Sequence, residues 1–62
     1  MEQDIISIIE HWNIGNPTNQ LDLSTVKIKY ADSKTRIYTL YKGEVKIKAL
    51  PIDGAWKIIN LR

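Results

Sequence analysis

The sequence predicts a single small α+β domain over residues 1–62, with one N-terminal helix packed on a curved four-stranded antiparallel β-meander. Three observations favour this class. Apolar residues recur at helical spacing near the N-terminus, and from about residue 21 they alternate with polar residues. Turn-forming residues interrupt the alternating part three times. A chain of 62 residues has room for one hydrophobic core and little else.

The helix is predicted over about residues 4–12. Its apolar stripe consists of Ile5, Ile6, Ile8, Ile9 and Trp12. The acids Glu2 and Asp4 suit a helix N-terminus, where the backbone amides carry partial positive charge. The segment 13–17, which contains Gly15 and Pro17, is expected to end the helix through a left-handed cap. A helix of about ten residues is unstable alone in water, so its stripe must pack against the sheet.

Four strands are predicted after the helix. The first begins at Leu21, and its alternation slips by one residue at Ser24-Thr25, which indicates a β-bulge there. The others are expected at about residues 35–41, 44–50 and 55–61. The turns between them are predicted around Ser33, at Lys42-Gly43 and over residues 51–54.

The predicted turns assign each side chain to a face of the sheet. A two-residue turn at Lys42-Gly43 sets Leu40 opposite Val45, and directly opposed side chains share a face. In the same register Tyr38 faces Ile47, and Arg36 faces Ala49 at the sheet margin with its charged head in water. The other residues expected on this core face are Val26, Ile28, Tyr30, Trp56 and Ile58.

The opposite face is predicted to be rich in lysine. The registers place Lys27 beside Thr39 and Lys46, and Lys29 beside Ile37 and Lys48, with Lys57 on the last strand. Charge is also segregated along the chain, because residues 1–23 hold four acids and no Lys or Arg, whereas all nine bases follow residue 24.

Phosphate groups are neutralised by clustered Lys side chains, so nucleic acid is the natural anionic partner of this face. We therefore predict a small nucleic-acid-binding or nucleic-acid-associated protein that uses Lys27, Lys29, Lys46, Lys48 and Lys57. Tyr41 is the one aromatic residue expected among these lysines. The same pattern is also typical of the solvated outer sheet face of a two-layer domain, and that alternative stays open.

A second function follows from apolar side chains among the lysines. Ile37, Ile59 and Leu61 are expected on the basic face, where exposed aliphatic groups favour contact with another protein. This alternative is a non-enzymatic protein-interaction module. It would be either a homodimer or a small inhibitor of a host protein, of the kind that mobile elements encode. The lysines would then face an acidic protein partner.

The sequence offers no pattern for catalysis, metal binding or a cofactor. His11 is the only histidine, cysteine is absent, and the carboxylates are scattered rather than paired. No glycine-rich phosphate loop or nucleophile motif is present. We therefore expect no enzymatic activity. The acidic N-terminus and the lack of an apolar run of about 20 residues predict neither a signal peptide nor a membrane span, so a cytoplasmic location is expected.

Overall fold

In a computed structural model that describes residues 2–61, one helix precedes a four-stranded antiparallel sheet. The helix α1 spans Glu2–Gly15, and the strands are β1 (Lys27–Asp32), β2 (Ile37–Lys42), β3 (Val45–Ile52) and β4 (Ala55–Leu61). The strands lie in chain order across an open sheet. The predicted helix-first α+β meander is therefore confirmed.

The core forms between α1 and one face of the sheet. Four residues of the predicted helical stripe are buried: Ile5, Ile8, Ile9 and Trp12. They pack with Leu21 and with five sheet residues, which are Tyr38, Leu40, Ile47, Ala49 and Trp56. Because an apolar side chain gains about 1.5–3 kcal/mol on full burial, this single cluster is the main source of stability in so short a chain.

The helix is longer than predicted and ends in a different way. Gly15 is still helical, and its φ is not positive, so no left-handed glycine cap forms. Instead, Asn16 Nδ2 donates to the Trp12 carbonyl at 2.9 Å. The amide of Asn13 makes two bonds with the Leu21 backbone, accepting from its N–H at 2.7 Å and donating to its C=O at 3.0 Å. Asparagine side chains therefore end α1 and hold the following segment against it.

The segment 21–26 is not a strand, so the predicted start of β1 at Leu21 is wrong. Residues 22–26 form a turn in which the N–H groups of Thr25 and Val26 both donate to the Asp22 carbonyl at 2.9 Å. Leu21 is buried against the helix, whereas Leu23 is exposed. The alternation slips at Ser24-Thr25 because the backbone turns there, and the bulge itself lies at Lys29, between the pairs Ile28–Leu40 and Tyr30–Thr39.

The β2–β3 hairpin is shifted by two residues from its predicted register. Lys42 pairs with Val45, so the two turn residues are Gly43 and Glu44, and Leu40 faces Ile47. Gly43 takes a φ of 59°, which a glycine adopts without steric cost. Because side chains alternate with a period of two, this shift leaves every residue of the hairpin on its predicted face.

The β3–β4 hairpin shows the same kind of shift. The predicted four-residue turn is a two-residue turn at Asp53-Gly54, with Ile52 paired to Ala55. The φ values of Asp53 and Gly54 are 53° and 76°. They are typical of a type I′ turn, for which Asp-Gly is a preferred pair. Trp56 and Ile58 therefore stay on the core side, as predicted, with Trp56 buried.

Arg36 lies in the β1–β2 turn and not opposite Ala49, which pairs with Tyr38. Its backbone is left-handed, with a φ of 62°. The guanidinium lies over the Trp56 ring, 5.0 Å from its centroid, and donates to the Asp4 carboxylate from Nε at 3.3 Å and Nη2 at 3.1 Å. With 51% of the side chain exposed, the head still faces solvent as predicted, and it also forms an ion pair with the helix.

Asp4 joins the first turn of α1 to the sheet. Besides the Arg36 bonds, it accepts a 2.8 Å hydrogen bond from the hydroxyl of Tyr38. The bonds from Arg36, and then that from Tyr38, lower the pKa of Asp4 below its ordinary value of 3.8. Burial, together with the nearby Asp4 carboxylate, raises the pKa of Tyr38. The ionised form of Asp4 is therefore the form that the folded state prefers.

Acid is expected to weaken the fold through Asp4. A carboxyl group whose pKa is lower in the folded state adds stability above its unfolded pKa and loses it as the pH falls through the folded value. Asp4→Asn should lower the free energy of unfolding at pH 7 and reduce its further loss between pH 7 and pH 3, as measured by urea unfolding. Asp32, whose pKa is also lowered, keeps part of the acid dependence in this variant.

The matched control is Glu10→Gln, which removes an exposed carboxylate from the same helix. It should leave the acid dependence close to that of the wild type. An equal effect of the two substitutions would contradict the role of the Asp4 bonds.

Candidate nucleic-acid interface

The outer face of the sheet, which the helix does not cover, consists of three rows of opposed side chains. The first row is Lys27, Tyr41, Lys46 and Leu61, and the second is Tyr30, Thr39, Lys48 and Ile59. The third row contains two opposed pairs, Asp32 with Ile37 and Leu50 with Lys57. Continuing the β2–β3 register by one residue sets Ile37 opposite Leu50 and completes the row. Cationic, aromatic and aliphatic side chains thus share one surface.

The strand registers place four of the five candidate lysines on this outer face: Lys27, Lys46, Lys48 and Lys57. Their neighbours differ from those predicted, because Lys27 lies opposite Tyr41 and Lys48 lies between Thr39 and Ile59. Lys29 has no partner in the ladder, since it is the extra residue of the bulge. It nevertheless reaches the same face, where it borders a depression together with Tyr41 and Lys46.

The bulge also moves Tyr30 to the outer face, so its predicted core position is wrong. One extra residue at Lys29 reverses the alternation, and Tyr30 therefore lies opposite Thr39 with 56% of its surface exposed. Tyr38, one residue before Thr39, is buried in the core as predicted. The outer face thus carries two tyrosine rings, Tyr30 and Tyr41, where the sequence indicated one.

The depression beside Tyr41 has a volume of about 290 Å³ and is lined by Lys29, Tyr41, Gly43, Glu44 and Lys46. It lies at the lower end of the range of about 300–1,000 Å³ that is usual for small-molecule sites. Two lysines, one glutamate, one glycine and one aromatic residue thus line it.

Apolar side chains lie next to the lysines at the predicted positions and at one more. Ile59 is 40% exposed, whereas Ile37 and Leu61 are partly buried. Leu50, for which the sequence pattern indicated no role, lies opposite Lys57 on the same face. The alternation of Lys46, Lys48 and Leu50 along β3 is the signal that identifies it.

Of the acids near this face, Asp32 is already engaged by its own turn. Its Oδ1 accepts from the backbone N–H groups of Lys34 at 2.9 Å and Thr35 at 3.2 Å. These bonds, that from Thr35 first, lower the pKa of Asp32. Its other oxygen lies 3.5 Å from the Tyr30 hydroxyl, which is a weak contact.

The layer on the other side of the sheet, helix α1, carries exposed acidic side chains. Glu2 and Glu10 are exposed on α1, and His11 is exposed near its end. The hydroxyl of Ser7 accepts a 3.1 Å hydrogen bond from the Trp56 indole. Among residues 2–61, no group of three His, Asp or Glu side chains is arranged to hold a metal ion.

Within the described part of the chain, no helix has the length and apolar character needed to cross a membrane.

Comparisons of this chain with protein-family models, with curated proteins and with solved structures gave no match. The functional interpretation of the outer face is therefore based on its own geometry and charge.

Proposed function

We propose that this protein binds nucleic acid, contacting phosphate groups with Lys27, Lys29, Lys46, Lys48 and Lys57. The observation that supports this proposal is the convergence of lysines from three strands on the face that the helix leaves open. Lys46 and Lys48 are neighbours on one face of β3, and Lys57 lies diagonal to Lys48, so their like charges repel one another and the concentration of lysines has an energetic cost. An anionic partner removes that cost and gains free energy from released counterions.

The salt dependence of binding tests this function. Five phosphate contacts predict that the logarithm of the association constant falls with the logarithm of salt concentration at a slope of about −3.5 for single strands and −4.5 for duplexes. Between about 50 and 200 mM salt the affinity should therefore fall by roughly 100-fold or more. Fluorescence anisotropy with labelled DNA and RNA of mixed sequence measures both quantities. No binding at low salt, or an affinity independent of salt, would rule the function out.

Two double variants with the same change in charge locate the binding surface. Lys46→Gln with Lys48→Gln removes two lysines from the outer face and should make the slope shallower by about 1.4 for single strands or about 1.8 for duplexes. Lys34→Gln with Lys42→Gln is the control. Lys34 lies in the β1–β2 turn, and Lys42 lies on the helix side, where its Nζ donates to the Gln20 carbonyl at 3.2 Å. Equal effects of the two pairs would show that only net charge matters.

The aliphatic side chains of the outer face support a second candidate function, contact with another protein. Ile59 and Leu61 on β4 continue the patch formed by Ile37 and Leu50, next to the edge of the sheet. A homodimer through this patch would show a mass that rises with concentration in sedimentation equilibrium, and Ile59→Lys should abolish the rise. A monomer at every concentration would exclude the homodimer and leave a different, acidic protein as the partner.

A further inference from the structure

We infer that the ligand of the outer face is single-stranded nucleic acid, whose bases stack on the rings of Tyr30 and Tyr41. This inference rests on the proposed function and specifies its substrate class. It depends on three features of the described residues: the exposure and separation of the two rings, the width of the sheet, and the composition of the depression beside Tyr41.

The two rings occupy diagonal positions on neighbouring strands. Tyr30 faces Thr39, and Tyr41 follows Thr39 by two residues along β2. The backbones of such diagonal neighbours are about 7–8 Å apart, and the Tyr30 hydroxyl lies near Asp32, on the side away from Tyr41, whereas successive bases of a duplex rise by about 3.4 Å. Adjacent stacked bases of a duplex therefore cannot each lie on one ring. A single strand can, because its bases separate and turn outward.

The whole sheet is too wide for the major groove of undeformed B-DNA. Four strands spaced about 4.8 Å apart span roughly 14 Å between the outermost strands, whereas the major groove of B-DNA is about 12 Å wide and admits a helix or a two-stranded ribbon. The only helix in residues 2–61 packs on the other face of the sheet, with exposed acids that phosphates would repel. A flexible strand can instead follow the outer face of the sheet.

The depression beside Tyr41 suits a base better than a phosphate. Glu44 is one of its lining residues, and a carboxylate repels a phosphate but accepts hydrogen bonds from the amino groups of a base. Lys29 and Lys46 border the same depression and are placed to contact the phosphates on either side of that base. A charged groove combined with aromatic rings is the usual arrangement of proteins that bind single strands with little sequence preference.

The test compares ligands and ring variants by fluorescence anisotropy at one salt concentration. Single-stranded DNA and RNA should bind at least about tenfold more tightly than a duplex with the same number of phosphates. Tyr30→Ala and Tyr41→Ala should each weaken binding of the single strand by about 5- to 150-fold, because each removes one stacking surface. The salt slope should not change, since neither variant alters charge. Tyr30→Phe and Tyr41→Phe keep the rings and should retain the affinity.

Three outcomes overturn the inference. Equal or tighter binding of the duplex does so, and so does unchanged affinity in both alanine variants while the lysine variants still lose binding. These two results leave the proposed function intact, whereas absence of binding to every oligonucleotide overturns both and leaves the face to a protein partner. Far-UV circular dichroism checks the fold of each variant. If Tyr41→Ala unfolds, the more exposed Tyr30 decides the question alone.

Discussion

Replacing Ile8 with alanine is expected to lower the free energy of unfolding by about 2–5 kcal/mol. Ile8 has no exposed surface and lies at the centre of the contact between α1 and the sheet. The substitution removes its transfer free energy and leaves a cavity that the neighbouring strands cannot close without bending. A domain of this length has a total stability of roughly 3–9 kcal/mol, so the loss is a large fraction of that stability.

The same helix provides a matched control for this prediction. Ile14 is 84% exposed, and Ile14→Ala removes the same atoms from a position without packing. Its effect should be within about 0.5 kcal/mol, and alanine's higher helix propensity favours a small gain. Urea unfolding followed by far-UV circular dichroism measures both variants. A similar loss in the two would contradict the assignment of the core to the Ile8 side of the helix.

Replacing Trp56 with alanine is expected to have a comparable effect, about 3–5 kcal/mol. The ring meets Tyr38 edge to face, with 5.8 Å between centroids, and Arg36 covers it from the turn. Its indole N–H donates to Ser7 on the helix at 3.1 Å. The alanine variant therefore loses contacts to the helix, the sheet and the β1–β2 turn together.

A phenylalanine at this position separates packing from hydrogen bonding. Trp56→Phe keeps an aromatic ring and loses the bond to Ser7, whose net contribution is about 1 kcal/mol. Its loss should be clearly smaller than that of Trp56→Ala in the same urea experiment. Trp12 remains in both variants, and its fluorescence gives a second measure of unfolding. Equal losses would indicate that the hydrogen bond, rather than the ring, is what matters.

The layers of the fold were predictable because they depend on periodicity. Ile5, Ile8, Ile9 and Trp12 mark one side of a helix whatever its exact ends are, and all four are buried. The two hairpin registers were each wrong by two residues, yet the faces were right, because an even shift restores the alternation. The sequence pattern therefore predicts reliably which side chains share a face of the sheet. It predicts less reliably which residues lie directly opposite each other on neighbouring strands.

The errors arose where the backbone departs from regular geometry. Leu21 and Leu23 alternate as strand residues do, but the Asp22 carbonyl binds two later N–H groups and forms a turn. The bulge at Lys29 is an odd shift, so it reversed the face of Tyr30. The packing of α1 also brings Asp4 to Arg36 in the β1–β2 turn. The two residues are 32 positions apart in the sequence, so no local pattern indicates this contact.

The candidate site was predictable in its charges and not in its rings. Lys27, Lys46, Lys48 and Lys57 follow from strand alternation, which survives the register shifts. Tyr30 and the depression bordered by Lys29 and Glu44 depend on the bulge and on the exact position of the β2–β3 turn. To predict those features, the position of each residue in the bulge and in the turn must be known. The periodicity of the sequence does not give positions to within one residue.

The separation of acids and bases between the two layers gives the molecule an electric dipole. A polyanion therefore exerts a torque as well as an attraction, turning the lysine face toward itself and the helix away. At physiological salt, charges are screened over about 8 Å, which is less than the smallest dimension of the molecule, 21 Å. An approaching strand thus responds mainly to the near face. The rate of association should follow the local charge of that face, and the net charge of +2 underestimates it.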